Sequence, residues 1–267
     1  MRKRKVKHLN VIIGLILLSN IASADKAPVP STPKVKEIEL IGMAGKQRML
    51  SQRIAKDYLY SGKGVAASKA NRQLQKSLDD FLINYKKLLL STNDPEIKNL
   101  LEFVKLSSND FKIIAEENFS IDNAQLILDL SESMLEGSQY IFDSLKKSIN
   151  LKESEVIVKS AKQLILSQRI AKYYIAYQLG IKDTNSVNSM KNTVEEFGEN
   201  LNALMKNSTN TPEIIKKLNE INRLWKIVHK FYNNIEKGGL PLIVFNTTDT
   251  ITKKMNEVTS IYISIHK

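Results

Sequence analysis

The stretch "AGKQRMLSQRIAK" occupies residues 44–56, and "SAKQLILSQRIAK" returns at 160–172, 116 positions later. Within these, residues 50–56 and 166–172 are identical. The same offset of 116 lays Asp79-Asp80-Phe81 on Glu195-Glu196-Phe197, and an offset of 117 lays "DPEI" (94–97) on "TPEI" (211–214). Self-similarity at one long period marks a duplicated structural unit. The fold therefore has to be one that two copies of a segment of about 116 residues can each build.

Around the motif, apolar residues recur at helical spacing almost to the end of the chain. A first helix is expected over 35–60, stopped by "SGKG" (61–64), and a second over 65–90. Asp94 caps a third helix with Pro95 in its first turn, where the missing N–H costs nothing. That helix is expected to end near Glu117, and Asp122 to cap the fourth. The second copy repeats the order. The motif helix ends near Gly180, a helix covers 186–205, Thr211 and Pro212 start the next, Gly238-Gly239 stop it, and the last covers 242–265. From 139 to 179 there is neither Gly nor Pro, so the fourth helix is expected to run into the fifth and the two units to form a rod. The expected class is all-α, two tandem antiparallel four-helix bundles sharing a long connecting helix. Bundle 1 covers 35–149 and bundle 2 covers 150–267.

Composition agrees. The 267 residues are 42% apolar, with 10 Gly and 6 Pro, few breakers for this length. The absence of Cys excludes disulfides, thiolate metal sites and a Cys nucleophile. At the N-terminus, a basic start, an apolar run over 9–18 and Ala22-Ser23-Ala24 read as a secretory signal over 1–24, cleaved before Asp25. Residues 25–34, "DKAPVPSTPK", read as an extended tether. The mature chain is expected to be soluble and periplasmic. Loss of Arg2, Lys3, Arg4, Lys5 and Lys7 takes the formal charge from +12 to +7. That excess suits anions or a lysine-rich solvated surface, and export argues against nucleic acid as a partner.

Catalysis has little support. His229 and His266 lie far apart, and no His-x-x-x-His, phosphate loop or nucleophile elbow occurs. Asp79-Asp80 and Glu195-Glu196 lack an accompanying Glu-x-x-His, so they are expected to be solvated, with one member pairing a lysine. Trp225 and Tyr173, Tyr174 and Tyr177 read as core and rim. The chain is not expected to be an enzyme, and no cofactor or metal is expected.

At 100° per residue, Met43, Gln47, Leu50, Ile54 and Tyr58 of the motif helix fall within about 80° of arc. Ala44, Arg48, Ser51 and Ala55 follow along one side, and Lys46, Arg53, Lys56 and Tyr60 lie opposite. Gln47 and Ser51, repeated as Gln163 and Ser167, stand in an apolar stripe, which costs stability unless they are hydrogen-bonded. They either fix the register of the bundle or line a polar pocket. Arg48, among small neighbours, requires an anion, a carbonyl or an acidic side chain opposite it. Arg53 and Arg169 are expected on a charged, solvated side. In the second copy Arg48 becomes Leu164, and Ala44-Gly45 becomes Ser160-Ala161.

"AGKQRMLSQRIAKDYL" (44–59) resembles the signature of the PilJ-type sensor domain of type IV pilus chemotaxis transducers, through Ala44, Gly45, Arg48, Met49, Ser51 and Arg53. It is also similar to the P-box of the NarX/NarQ nitrate and nitrite sensors, periplasmic four-helix bundles in which the corresponding arginine binds nitrate at a dimer interface. The resemblance implies a small anion or polar ligand at Arg48, with Ala44, Gly45 and Gln47 as its helical surroundings. Ser51, Arg53, Gln163 and Arg169 complete the set of candidate ligand-binding residues. Such sensors continue through a membrane helix into a signalling domain, which this sequence does not show. The expectation is therefore a periplasmic sensory or ligand-binding protein that presents a nitrate- or nitrite-like ligand to a membrane-bound sensor or chemoreceptor, with homodimerisation through the motif helix open. The alternative is a structural or adaptor protein without a ligand.

Overall fold

The regular apolar spacing of the sequence becomes helix throughout. The computed structural model describes residues 34–148 and 155–265, and among them there are eight α-helices and no strand. They are α1 (Lys34–Gly62), α2 (Ala67–Ser91), α3 (Pro95–Glu116), α4 (Ile121–Ser148), α5 (Glu155–Gln178), α6 (Thr184–Met205), α7 (Pro212–Asn233) and α8 (Pro241–Ile265). The secretory signal, most of the tether, the junction at 149–154 and His266 lie outside the described residues.

The expected caps hold α3 and α7. The Asp94 carboxylate accepts from the N–H groups of Glu96 and Ile97, and Thr211 Oγ1 accepts from Ile214 N–H. Two boundaries differ from expectation. Ser120, not Asp122, caps α4, because its hydroxyl accepts the Asn123 N–H at 3.0 Å while its carbonyl takes that of Ala124. α7 ends at Asn233, ahead of Gly238-Gly239, and a short 3-10 turn over Ile235–Lys237 follows it.

The outer helices are amphipathic. α2 buries Ala70, Leu74, Leu78, Phe81, Tyr85 and Leu88, and α7 buries Ile214, Leu218, Ile221, Trp225, Val228 and Tyr232, each set spaced by three or four residues. Each fully buried aliphatic or aromatic side chain contributes about 1.5–3 kcal/mol. The motif helices differ: seventeen of the 24 residues of α5 are buried, on every side. A helix buried all round is an internal one.

Their neighbours explain this. α1 packs on α2 and α4, α5 packs on α6 and α8, and α1 and α5 also pack on each other. The two motif helices run parallel. A Cβ on Gly45 would lie 3.7 Å from that of Ala161, and one turn-rich stretch further on Lys63 Nζ donates to the Gln178 carbonyl at 2.7 Å. Equivalent positions therefore meet, as across a pseudo-two-fold axis along the helices. The expected rod is not formed, because the packing of α1 lengthwise on α5 sets the bundles side by side. Residues 33–267 make one compact unit.

Candidate functional site

The polar residues shared by the two motif copies are nearly all buried: Gln47, Ser51, Gln52, Lys56, Gln163, Ser167, Gln168 and Lys172. Gln47 and Ser51 do internal work. Asn84 Nδ2 donates to Gln47 Oε1 and to the Met43 carbonyl, both at 2.7 Å, and Ser51 Oγ donates to the Arg48 carbonyl at 2.8 Å. The second copy repeats the pattern: Gln163 Nε2 donates to the Phe197 carbonyl at 3.1 Å and Asn200 Nδ2 to the Lys159 carbonyl at 2.8 Å. The spacing of Asn84 from Met43 is that of Asn200 from Lys159, 41 positions in each. These bonds fix the register of α1 on α2 and of α5 on α6. Gln47 Oε1 thus serves the register of α1 on α2, while Ser51 bonds within its own helix and Gln47 Nε2 is buried without a partner. Ala44 is fully buried as well, and Gly45 lies at the α1–α5 seam.

The side expected to be solvated is the seam between the repeats. Lys56 and Tyr60 are fully buried, and the side chains of Arg53 and Arg169 are about three-quarters covered, at 28% and 26% exposure. Their surroundings come from the other repeat. Lys56 Nζ of α1 reaches Asp249 Oδ1 of α8 at 2.6 Å, and Lys172 Nζ of α5 bonds Ser131 Oγ of α4 at 2.9 Å and pairs with Glu132. Arg169 Nη2 joins Glu132 at 2.6 Å. Burial alone would raise the Glu132 carboxyl, but Lys172 and Arg169 reverse this and hold it down at about 2. Burial pushes the Lys172 ammonium down to about 8 against the pull of Glu132.

Arg48 is placed differently from every other arginine among the described residues. It is 5% exposed, with its guanidinium carbon 4.2 Å from the centre of the Phe142 ring on α4. Its Nε and Nη1 are buried without a hydrogen-bond partner. Burial lowers its pKa to about 10, with Asp143 opposing through space. No acidic side chain closes on it as Glu132 closes on Arg169. It lines a groove of about 570 Å³ between α1, α4, α5 and α6, in which Arg48, Lys162 and Arg169 face Glu132, Glu136 and Glu196, with Gln139 and Tyr140 beside them. Arg169 and Lys162 of the groove are already paired with Glu132 and Glu196, and the two N–H donors of Arg48 left without partners suit a small planar or tetrahedral oxyanion.

Of the residues singled out from sequence, Arg48 and Arg169 meet at this groove. Arg53 and Gly45 line a second cavity across the seam, and Ala44, Gln47, Ser51 and Gln163 line neither. The acidic pairs behave as expected, with Asp80 beside Lys46 at 3.7 Å and Glu196 paired with Lys162. Trp225 packs in the core against Phe197, ring centres 4.2 Å apart. Sequence reasoning passed over Lys56, Lys172, Glu132 and Asp249. The signal was present: each lysine is identical in both motif copies, and the two acids are 117 positions apart, the offset of the proline turns. Among the described residues, no group of three or more His, Asp or Glu side chains is arranged to hold a metal ion, and no helix is long and apolar enough to cross a membrane.

Residues 36–105 match the PilJ family, the type IV pili methyl-accepting chemotaxis transducer N-terminal domain. Neither a curated protein nor a solved structure matches the chain significantly. The matched stretch begins in α1, contains α2 and ends within α3, so it includes Arg48 and the whole first motif.

Proposed function

We propose, from the premise that this chain carries a PilJ-type sensor segment at 36–105, that it is a periplasmic sensory protein that binds a small oxyanion at Arg48 and reports the bound state to a membrane chemoreceptor or sensor. The role is binding, not catalysis. Export is supported by the signal-like sequence of 1–24, and a sensory role by the family match. The anion is supported by one observation above the rest: the buried Arg48 guanidinium, which borders a groove, has two nitrogens without partners. A buried cation without a counter-ion is costly, and an entering oxyanion relieves that cost with charge-assisted hydrogen bonds. Nitrate and nitrite fit the groove and the resemblance of the motif to the nitrate sensors.

Titration calorimetry and thermal shift with nitrate, nitrite, sulfate and chloride test this. The wild-type chain is expected to take up nitrate or nitrite, and Arg48→Met, which fills the same space without charge, to weaken that binding about tenfold or more. Arg48→Lys is expected to recover only part of it, because an ammonium lacks the planar fork. A wild-type chain indifferent to all four anions overturns the proposal. It would favour the adaptor reading, which the internal bonding of Gln47 and Ser51 already suits.

A further inference from the structure

The duplicated helix returns with Leu164 where Arg48 stood, and this change has a consequence on the opposite side of the seam. Under the pseudo-two-fold arrangement, the Arg48 groove between α1, α4, α5 and α6 has a counterpart between α5, α8, α1 and α2. A cavity of about 650 Å³ occupies that place. Its equivalent positions are conspicuous: Leu164 stands for Arg48, Lys46 for Lys162, Arg53 for Arg169 and Asp80 for Glu196.

The two sides have diverged in their chemistry. In the Arg48 groove, Arg169 is neutralised by Glu132 at 2.6 Å. Across the seam the corresponding acid is Asp249, one methylene shorter. It is engaged by Lys56 at 2.6 Å and by Gln73 Nε2 at 2.8 Å. Arg53 has no such bond. Its Nε is buried without a hydrogen-bond partner and lies 3.6 Å from the carboxylate of its own helix neighbour Asp57. Lys46, Arg53, Lys69 and Lys253 line the cavity against two acids, Asp80 and Asp249; Lys46 lies 3.7 Å from Asp80 and Lys69 3.5 Å from Asp249, which leaves Arg53 and Lys253 as the excess. One side of the wall is apolar, from Ile41, Leu50, Ile157, Leu164 and Ile263, and the α8 side carries hydroxyls such as those of Thr252 and Thr259. Asn246 and Asn256 add amides at one side.

We propose that this cavity is a second ligand site, which takes a small organic carboxylate with an apolar body, of the size of an aryl or branched-chain acid. The carboxylate meets Arg53 and the lysines, and the hydrocarbon lies against Leu164 and the isoleucines. The volume falls in the range of pockets for small organic molecules. The exchange of Arg48 for Leu164 in the second copy is what gives the cavity its apolar wall. The site does not depend on anion binding at Arg48, and the two fail separately.

Benzoate, phenylacetate and 4-methylpentanoate serve as probes, with benzamide as the uncharged control, in saturation-transfer NMR and thermal shift on the purified chain. The carboxylates are expected to bind saturably at millimolar concentration or below, and benzamide at least tenfold more weakly. Arg53→Met is expected to cost about tenfold in affinity. Lys253→Glu, on an exposed residue whose exchange leaves the core intact, is expected to weaken binding in the same direction. Leu164→Arg restores the residue of the first copy and is expected to abolish binding, with far-UV circular dichroism as the check on its fold. The proposal is overturned if none of the three carboxylates binds, or if Arg53→Met and Lys253→Glu bind as wild type does. Binding lost in Arg48→Met and kept in Arg53→Met overturns it too, since the ligand would then sit in the other groove.

Discussion

Asp57 is a fully buried carboxylate on the α1 side of the seam. Lys56 Nζ stands 3.1 Å away and Arg53 Nε 3.6 Å, but burial outweighs both, helped by the nearby charge of Asp249, and pushes the Asp57 carboxyl up to about 6. Between its ordinary value of 3.8 and about 6 the folded chain keeps a proton that the unfolded chain releases. Stability therefore falls as pH rises through that window, since the folded state binds more protons there. Asp57→Asn removes this dependence. The difference in unfolding free energy between variant and wild type is expected to move in favour of the variant by about 2 kcal/mol from pH 4 to pH 7, at about 1.4 kcal/mol per pK unit. Urea unfolding at several pH values measures it. A difference that stays flat with pH would show that Asp57 is ionised throughout. The slope is the decisive quantity, because an amide at that position carries its own pH-independent cost of lacking partners.

At the scale of helices, two glycines separate close packing from ordinary contact. Gly137 of α4 faces α3 so closely that a Cβ would stand 2.5 Å from Val104 Cγ2, and the branched valine has little freedom to withdraw. Gly137→Ala is expected to destabilise by about 1–3 kcal/mol in spite of the better helix propensity of alanine. Gly45 of α1 is the contrast. A Cβ there meets only Ala161 at 3.7 Å, the residue that the second copy already carries at this position. Gly45→Ala is expected to stabilise by about 0.5–1 kcal/mol. Thermal unfolding of both variants tests the pair, and equal signs would mean that the α1–α5 and α3–α4 spacings are not as described. The outer helices and their caps at Asp94 and Thr211 were legible in sequence because periodicity and capping are local. The burial of α1 and α5 on all sides was not. Lys56 owes its place to Asp249, 193 positions away, and no window along the chain contains both. What the sequence did hold was the repeat, and the polar residues it preserves are the ones that tie the halves together. Arg48 was legible as a cation in need of a partner, whereas its rest against Phe142 depends on the α4 packing that only the fold supplies.

For the molecule as a whole, the cross-links come in matched pairs about one seam. Lys56 of α1 reaches Asp249 of α8, and Lys172 of α5 reaches Glu132 of α4, so each repeat holds the other with its motif lysine. Lys63 and Lys69 add bonds from the first repeat to Gln178 and Asn246 of the second. Breaking one partner of a buried ion pair typically costs about 3–5 kcal/mol, because it leaves the other charge buried and uncompensated. The resemblance to the nitrate sensors implies an anion held where two subunits meet. In this chain α5 lies parallel on α1 with equivalent residues in contact, which is where a second copy of the motif helix would otherwise have to dock. Duplication has thus placed two motif helices side by side within one polypeptide, with α5 against α1. It has also freed the halves to diverge, with a guanidinium on one side of the seam and a leucine on the other. The expected outcome is a monomer in sedimentation velocity, with or without nitrate, and one nitrate per chain in calorimetry. A dimer that binds one nitrate between two chains would mean that α1 and α5 separate to admit a second molecule, and that the seam described by these ion pairs opens in solution.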